Sequence, residues 1–230
     1  VYQSSATNFD TKYGKTVFSS DPPYYDNVPY ADISDFFYLW LRRSLANQFP
    51  TLLSTMLTPK KEELVADPFR HEGKLKAQKF FEDGLSQAFT QMRAIQHTDG
   101  LTSIYYAFKQ AEDADEDSDE NDGDAVTTTA STGWETILEA IVGTQWTITG
   151  TWPVRTERSG RSRDIDSNAL ASSIVLVCRP RPDTAATVTR AEFLRTLKRQ
   201  LPKDLRLLQQ GNIAPVDFAQ AAIGPGMAVF

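Results

Sequence analysis

Two adjacent prolines constrain this chain more than any other feature. Pro22 and Pro23 stand between an acid, Asp21, and an aromatic residue, Tyr24, directly after the apolar stretch Thr16-Val17-Phe18. Proline fixes φ near −65° and has no N–H, so a strand predicted at residues 16–20 must end here, with carbonyl groups that no β-ladder occupies. The sequence therefore predicts a rigid, polar loop at the carboxyl end of a buried strand.

The side chains of this loop are suited to binding a planar amine. The carboxylate of Asp21 accepts hydrogen bonds from an exocyclic NH2 group, and the ring of Tyr24 stacks on the base that carries it. This is the arrangement needed to methylate an amino group on a nucleobase. The competing interpretation is a tight turn that merely closes the strand.

Asp-Pro-Pro-Tyr resembles the catalytic signature of the amino-group DNA methyltransferases, (Asp/Asn/Ser)-Pro-Pro-(Tyr/Phe/Trp). The longer run at 20–43, Ser-Asp-Pro-Pro-Tyr-Tyr-Asp-Asn-Val-Pro-Tyr and onward to Arg43, is similar to large bacterial and archaeal adenine-specific DNA methylases with an N-terminal domain of unknown function. Further similar stretches lie at 131–135, 151–157, 168–181, 213–217 and 224–227. The resemblance thus extends over most of the chain.

The resemblance implies a mechanism and a cofactor. It makes these four residues catalytic: Asp21, Pro22, Pro23 and Tyr24. Asp21 and the Pro22 carbonyl polarise the amine of a flipped-out base, and stacking on Tyr24 offsets part of the free energy that flipping costs. The methyl donor is S-adenosylmethionine, for which Asp21 is also a candidate contact, and no metal is required. Cytosine in place of adenine, RNA in place of DNA and the target sequence stay open.

The donor-binding element of the resembled family, a glycine-rich turn after the first strand, has no counterpart in this sequence. Gly224-Pro-Gly226 has neither a predicted strand before it nor a helix after it, so it is a poor candidate. We therefore expect residues 1–230 to form the C-terminal catalytic half of a methyltransferase whose N-terminal portion is missing here. A non-catalytic nucleic-acid-binding or assembly module derived from that fold is the alternative.

Candidate substrate contacts follow the motif and recur later in the chain. Aromatic and amide side chains on the loop after Tyr24 are expected to line the pocket or to pack: Tyr25, Asn27 and Tyr30. A basic cluster is expected to contact phosphates or to form a solvated loop: Arg155, Arg158, Arg161 and Arg163. A weaker basic patch comprises Lys60, Lys61 and Arg70. Trp134 and Trp152 are expected in the core, with a platform on which a base stacks as the alternative.

The net charge of −6 is misleading for a DNA-binding chain. Nine of the 30 carboxylates lie between Glu112 and Asp124, and without them 21 acids face 24 bases. The remainder is mildly basic, and the loop at 111–130 is expected to be acidic and disordered, although mimicry of nucleic acid and screening of a basic groove are alternatives. The spacing of its acids fails the EF-hand pattern, since Asp122 stands where glycine is needed.

Periodicity predicts an α/β fold. We expect a helix capped by Ser34 and ending near residues 47–50, a helix at 74–96, a strand at 101–108 and a helix from Ser131 or Thr132 to Gly143. Strands at 146–154 and 170–178 must pair antiparallel because their connection is too short for a helical crossover. A capping box, Thr189 with Glu192, opens the last helix, and the tail from 211 reads as a partly ordered surface segment. The family resemblance makes this a partial Rossmann-like sheet with an antiparallel last strand.

Other classes of site are disfavoured. The single cysteine, Cys178, lies in an apolar run, which indicates packing and suits a reducing cytoplasm. His71 and His97 are too isolated to predict a metal site. No apolar run approaches the length of a membrane span, and no phosphate-binding loop or Gly-Xaa-Ser-Xaa-Gly pattern is present.

Overall fold

A computed structural model describes residues 4–8, 15–25, 28–106, 132–155, 172–210, 218 and 221–227. The elements in chain order are β1 (Ser19–Ser20), α1 (Tyr30–Leu45), α2 (Lys74–Ile95), β2 (Thr102–Tyr106), α3 (Thr132–Gly143), β3 (Trp146–Arg155), β4 (Ser172–Pro180), α4 (Arg190–Gln210) and α5 (Ile223–Met227). The predicted acidic loop at 111–130 and most of the predicted arginine-rich loop lie outside the described residues. Within them, no helix is both long and apolar enough to cross a membrane.

The chain divides into two compact units. The sheet unit comprises Val1–Pro22 and Ser86–Phe230, and the helical unit comprises Pro23–Leu85. The boundary in sequence falls inside the Asp-Pro-Pro-Tyr motif, between Pro22 and Pro23. Helix α2 begins in the helical unit and continues into the sheet unit.

The described strands form one mixed sheet in the order β1-β2-β4-β3. β1 pairs parallel with β2, whereas β4 pairs antiparallel with both β2 and β3. Because β4 is antiparallel to both neighbours, β3 runs in the same direction as β1 and β2. The α/β class and the predicted antiparallel pair of late strands are therefore confirmed.

The core of the sheet unit is built by alternation. In β2, Thr102, Ile104 and Tyr106 are buried and their neighbours are not, as period-two side-chain alternation requires. In β4, Ile174, Leu176 and Cys178 are likewise fully buried. Helix α3 packs on β3, with Ile137 and Ile141 buried.

Two hydrogen bonds from buried aromatic side chains connect strands of the sheet to helices α2 and α3. The indole Nε1 of Trp146 donates to the carbonyl oxygen of Phe89 in α2 at 3.1 Å, and Tyr106 Oη donates to the Gly133 carbonyl at 3.2 Å. Both aromatic rings are buried. A buried aromatic residue with a polar group needs such a partner, so these bonds fix helix positions as well as satisfying the rings.

The capping box at Thr189 is confirmed. The Thr189 N–H donates to Glu192 Oε2 at 2.9 Å, and the Glu192 N–H donates back to Thr189 Oγ1 at 3.3 Å. Hydrogen bonds from the Thr189 backbone and side chain lower the pKa of Glu192. The reciprocal pair satisfies donors that α4 otherwise leaves open at its first turn.

Three local predictions were wrong. The segment at 16–20 is not a buried strand, since its ladder with β2 spans only Ser19–Ser20, Thr16 forms an isolated bridge with Gln96, and Val17 is 63% exposed. Helix α1 begins at Tyr30, not after Ser34, because Glu63 Oε1 accepts from the Ala31 N–H at 2.8 Å and replaces a local cap. In the tail, Ala221 is fully buried, and its carbonyl accepts from Thr151 Oγ1 at 3.1 Å.

Candidate functional site

The Asp-Pro-Pro-Tyr motif begins at the carboxyl end of β1. Ser19 and Ser20 lie opposite Ser103 and Ile104 of β2, and just before them the Phe18 carbonyl accepts from the Ser103 N–H at 3.0 Å. Thr16 is held at the same edge, where its carbonyl accepts from the His97 N–H at 2.8 Å. These bonds fix the strand up to the residue before Asp21. The predicted position of the motif, at a strand tip, is confirmed.

The prolines end the pairing of β1. Pairing with β2 stops at Ser20, and neither Pro22 nor Pro23 has an N–H with which to extend it. Pro22 is buried, whereas Asp21 and Pro23 are exposed. The carboxylate thus lies at a solvent-accessible strand tip, where open α/β sheets place their ligands.

The tyrosines after the motif differ in their surroundings. Tyr24 is half-buried, and Tyr25 packs its ring edge-on against Phe81 with centroids 5.3 Å apart. The Tyr25 carbonyl also accepts from the Ala66 N–H at 2.8 Å. Tyr30 opens α1 and is 65% exposed. Packing accounts for Tyr25 within the helical unit, while Tyr30 is accessible.

The remaining predicted contacts are described only in part. Asn27 and Arg158 lie outside the described residues, as do Arg161 and Arg163. Arg155 is the last residue of β3, opposite Ser172 of β4. The structure therefore places the start of the predicted arginine cluster at a strand end and describes nothing beyond it.

The predicted basic patch at Lys60, Lys61 and Arg70 is largely neutralised. Arg70 donates to Glu63 Oε2 at 2.6 Å and to Asp32, and its Nε lies 3.4 Å from Asp67. Lys60 Nζ lies 2.7 Å from Asp35. Two of the three cations are therefore already paired with carboxylates, and the contact of this patch with phosphate stays a prediction.

These ion pairs form one connected polar network in the helical unit. Burial disfavours the charge of Arg70, but its hydrogen bonds to Glu63 and Asp32 outweigh that effect and raise its pKa. The hydrogen bond from Lys60 lowers the pKa of Asp35, as does the one from Thr58. Through Asp32, Asp35 and Glu63, the network anchors the first turns of α1 to the segment at 58–70. Its role is structural.

Of the two tryptophans predicted in the core, one is buried and the other is exposed. Trp134 is buried and meets Tyr106 edge-on at 5.2 Å, which confirms the prediction. Trp152 is 66% exposed, so for it the prediction was wrong. The register of β3 shifts between Ile148 and Gly150, and this bulge reverses the alternation so that Trp152 faces away from the core.

The outward-facing Trp152 borders a cavity of about 700 Å³ in the sheet unit. Pro153 of β3, Leu207 and Leu208 of α4 and Pro225 of α5 also line it. Asp204 contributes the carboxylate of the lining, and its Oδ1 accepts from Gln200 Nε2 at 3.3 Å. The cavity is therefore mainly apolar with one acidic group.

The Gly224-Pro-Gly226 segment is not a glycine-rich turn that could hold S-adenosylmethionine. Gly224 and Gly226 lie inside the short helix α5, and a Cβ at Gly224 would meet Thr151 Oγ1 at 1.8 Å. That close approach shows Gly224 to be a packing glycine against β3 rather than a phosphate- or donor-binding turn. Among the described residues, no group of three or more His, Cys, Asp or Glu side chains is placed to hold a metal ion.

Cys178 and His71 occupy packing positions. Cys178 is fully buried in β4, and burial raises the pKa of its thiol to about 12. The His71 ring stacks on Phe80 with centroids 4.0 Å apart. Neither residue contributes to a reactive cluster among the described residues, in agreement with the interpretation of Cys178 as a packing residue.

No protein-family model matches the chain, and neither a curated protein nor a solved structure matches it.

Proposed function

We propose that this chain provides the target-amine half of an S-adenosylmethionine-dependent DNA methyltransferase that acts on the exocyclic amino group of adenine. The observation that carries the proposal is the exposed Asp21 carboxylate at the carboxyl end of β1, in a strand that pairs parallel with its neighbour. Open α/β sheets bind ligands at this end of their strands. Cytosine is the less favoured target.

The sheet order supports a partial Rossmann-like methyltransferase fold. Three strands run in one direction, and the last strand, β4, is inserted antiparallel between β2 and β3. The resembled family ends its sheet with a hairpin whose final strand is antiparallel. The Asp21 motif follows the first of these strands, which is also where the resemblance expects it.

The chain's own contribution to the reaction is to hold and polarise the amine. The Asp21 carboxylate and the Pro22 carbonyl accept the two N–H groups of the base, which increases lone-pair character on the nitrogen that is methylated. Tyr24 stacks on the extruded base, with Tyr25, Asn27 and Tyr30 nearby in sequence. Arg155 and Arg158 contact DNA phosphates, which supply salt-dependent affinity.

The methyl donor is proposed to bind outside the described residues. S-adenosylmethionine supplies an electrophilic methyl group when bound, but neither the sequence nor the described structure contains a glycine-rich turn to hold it. We therefore assign donor binding to a portion of the same protein that precedes this sequence, and to this chain only the amine-binding part. A cytoplasmic location is proposed because a single cysteine, Cys178, suits a reducing compartment.

Methyl transfer to DNA tests the proposal. A longer version of the protein that includes the upstream coding sequence is incubated with labelled S-adenosylmethionine and DNA, with and without Asp21→Ala. We expect Asp21→Ala to lower the rate of transfer at least about a hundredfold. Donor binding should persist, because it is assigned to the upstream portion of the protein. The matched control is Asp99→Ala, an exposed acid that precedes β2 and so lies at the opposite end of the strands.

Retention of transfer by Asp21→Ala would remove the catalytic assignment. A second substrate carries 2-aminopurine, which lacks the 6-amino group, in place of adenine. It shows whether labelling requires that amine or only DNA binding. Equal labelling of both substrates would refute the assignment to adenine.

A non-catalytic assembly module remains the second candidate. It is favoured by the missing donor turn and by the exposed apolar residues of the helical unit, which are typical of interaction surfaces. Failure of the longer protein to bind S-adenosylmethionine would favour this candidate over the enzyme.

A further inference from the structure

Helix α1 presents its polar side to its own unit. Tyr38 Oη bonds to Thr55 Oγ1 at 2.7 Å, Arg42 Nε donates to the Leu53 carbonyl at 3.3 Å, and Asp35 Oδ1 accepts from the Thr58 N–H at 2.9 Å. An ordinary surface helix does the reverse and packs its apolar side inward. α1 is therefore held in place by hydrogen bonds and ion pairs.

The opposite side of α1 is apolar and faces solvent. The α1 face consists of Ile33, Phe36, Phe37 and Trp40, which are between 56% and 67% exposed. Their spacing of three, four and seven residues places them on one side of a helix. Tyr30, Leu39 and Leu41 extend this surface on its flanks, and each is at least 46% exposed.

The exposed area is larger than a stable monomer normally leaves uncovered. An aromatic side chain buries roughly 150–250 Å² when it is covered, so the three aromatic residues of the α1 face and the flanking Tyr30 together leave on the order of 500 Å² exposed. The aliphatic residues increase the exposed apolar area further. The total approaches the area that each partner buries in a typical specific interface, which is about 800 Å². The aromatic-rich composition is also that of interface hot spots.

We propose that the α1 face binds the same face of a second copy of this chain, with the two helices antiparallel. A twofold axis between Phe36 and Phe37 places these rings against their counterparts and puts Ile33 opposite Trp40 of the other copy. Each copy then covers the other's aromatic residues with an equal apolar area, as an isologous interface requires.

The charges beside the α1 face complement each other in this arrangement. Asp32 and Arg43 are eleven residues apart, which is about three helical turns, so both lie along the same flank of α1. The twofold axis brings Asp32 of one copy to within about 3 Å, along the helix axis, of Arg43 of the other. Asp32 is 47% exposed at its side chain despite its contact with Arg70, and Arg43 is exposed beside Trp40.

A parallel pair would not gain this complementarity. In a parallel pair the twofold axis runs along the helices, so the flank with Asp32 and Arg43 lies on opposite sides of the interface in the two copies. Asp32 of one copy then cannot reach Arg43 of the other, and the helix dipoles are aligned, which is unfavourable. The charge pattern therefore selects the antiparallel arrangement. The proposal does not depend on catalytic activity.

The mass in solution is the first test. Sedimentation equilibrium of the full chain at micromolar concentrations should show a dimer, and Phe36→Glu with Trp40→Glu should convert it to a monomer. Leu75→Glu is the matched control, because Leu75 is 83% exposed in the helical unit but lies on α2. Circular dichroism should show the same helix content in all variants, since the substituted side chains face solvent.

Cysteine cross-linking is the second test and reads out the orientation. The chain's only cysteine, Cys178, is buried, so it does not interfere. In the antiparallel pair, two copies of Phe36→Cys lie about 1.5 Å apart along the axis, whereas two copies of Ser44→Cys lie about 22 Å apart. Mild oxidation should link the first variant and leave the second as single chains.

Three outcomes would overturn the proposal. A wild-type chain that stays monomeric up to about 100 µM would assign the α1 face to a different partner, such as another part of a longer protein. A dimer that survives the two glutamate substitutions would place the interface elsewhere. Equal cross-linking of Phe36→Cys and Ser44→Cys would indicate a parallel pair.

Discussion

The two units of this chain differ in where they place their apolar residues. In the sheet unit, Ile104, Leu176 and Cys178 on β2 and β4 are fully buried or nearly so. In the helical unit, α1 exposes Phe36 and Trp40 and bonds to its surroundings through Asp35 and Arg42. The helical unit also buries apolar residues, among them Phe81 and Leu85 of α2, but α1 itself is attached mainly by polar contacts. Two folded parts of one chain thus differ in how much of their apolar surface they bury internally.

Thiol reactivity gives the largest contrast between the units. Burial raises the pKa of Cys178 from the ordinary 9.0 to about 12, which lowers the thiolate fraction by about a thousandfold. Ser44→Cys introduces an exposed thiol in the helical unit. We expect the added thiol to react with Ellman's reagent at pH 8 about a thousand times faster than Cys178. In denaturant the two rates should converge, and similar rates in the native protein would contradict the assigned burial.

Removal of apolar contacts should cost far more in the sheet unit. Leu176 is fully buried, so Leu176→Ala should lower the free energy of unfolding by about 3 kcal/mol. Phe36→Ala, at a concentration where the chain is monomeric, should change it by less than about 0.5 kcal/mol. Urea denaturation measures both. Equal losses would show that Phe36 packs within its own unit.

Removal of a charge should instead affect the helical unit. Arg70→Ala removes the guanidinium that Glu63 and Asp32 share, and we expect the free energy of unfolding to fall by about 2 kcal/mol. Lys61→Ala, an exposed neighbour, is the control and should have little effect. Hydrogen exchange at the Ala31 and Ala66 amides reports the change locally. Unchanged exchange in Arg70→Ala would mean that the network does not hold the unit together.

Acid should weaken the polar network by a smaller amount. The pKa of Asp35 is lowered below its ordinary value of 3.8, first by the Lys60 hydrogen bond. Its contribution to stability is therefore present above pH 3.8 and is lost as the pH falls through the lower, folded-state pKa. The thermal midpoint should fall less between about pH 5 and pH 2 in Asp35→Asn than in the wild type. The difference should shrink in high salt because Asp35 is near the surface, and identical pH profiles would exclude its contribution.

Local sequence signals predicted the elements with local causes. The apolar spacing of α2 gave its range to within one residue at each end, and the Thr189–Glu192 capping box is present. The short connection between β3 and β4 predicted their antiparallel pairing. The motif at Asp21 was placed correctly at a strand tip because proline forbids the ladder from continuing.

Features with distant causes were not predictable in the same way. Glu63 caps α1 from 32 residues away, so the start of that helix was placed too late. Lys60 and Arg70 looked like a basic patch because nothing in their local sequence reveals Asp32 and Asp35 as partners. The bulge that turns Trp152 outward depends on the extra residue in β3 relative to β4. The function of the Asp21 motif remains a prediction.

Prolines lie at or beside both edge strands of the sheet. Among the described strands, β1 and β3 form the two edges of the sheet, and each has proline at or beside it: Pro22 and Pro23 after β1, and Pro153 within β3. A proline cannot donate to an added strand, so Pro153 limits edge-to-edge docking along β3. Pro22 and Pro23 follow β1, so they set the point at which a strand added beside Ser19 and Ser20 must stop pairing.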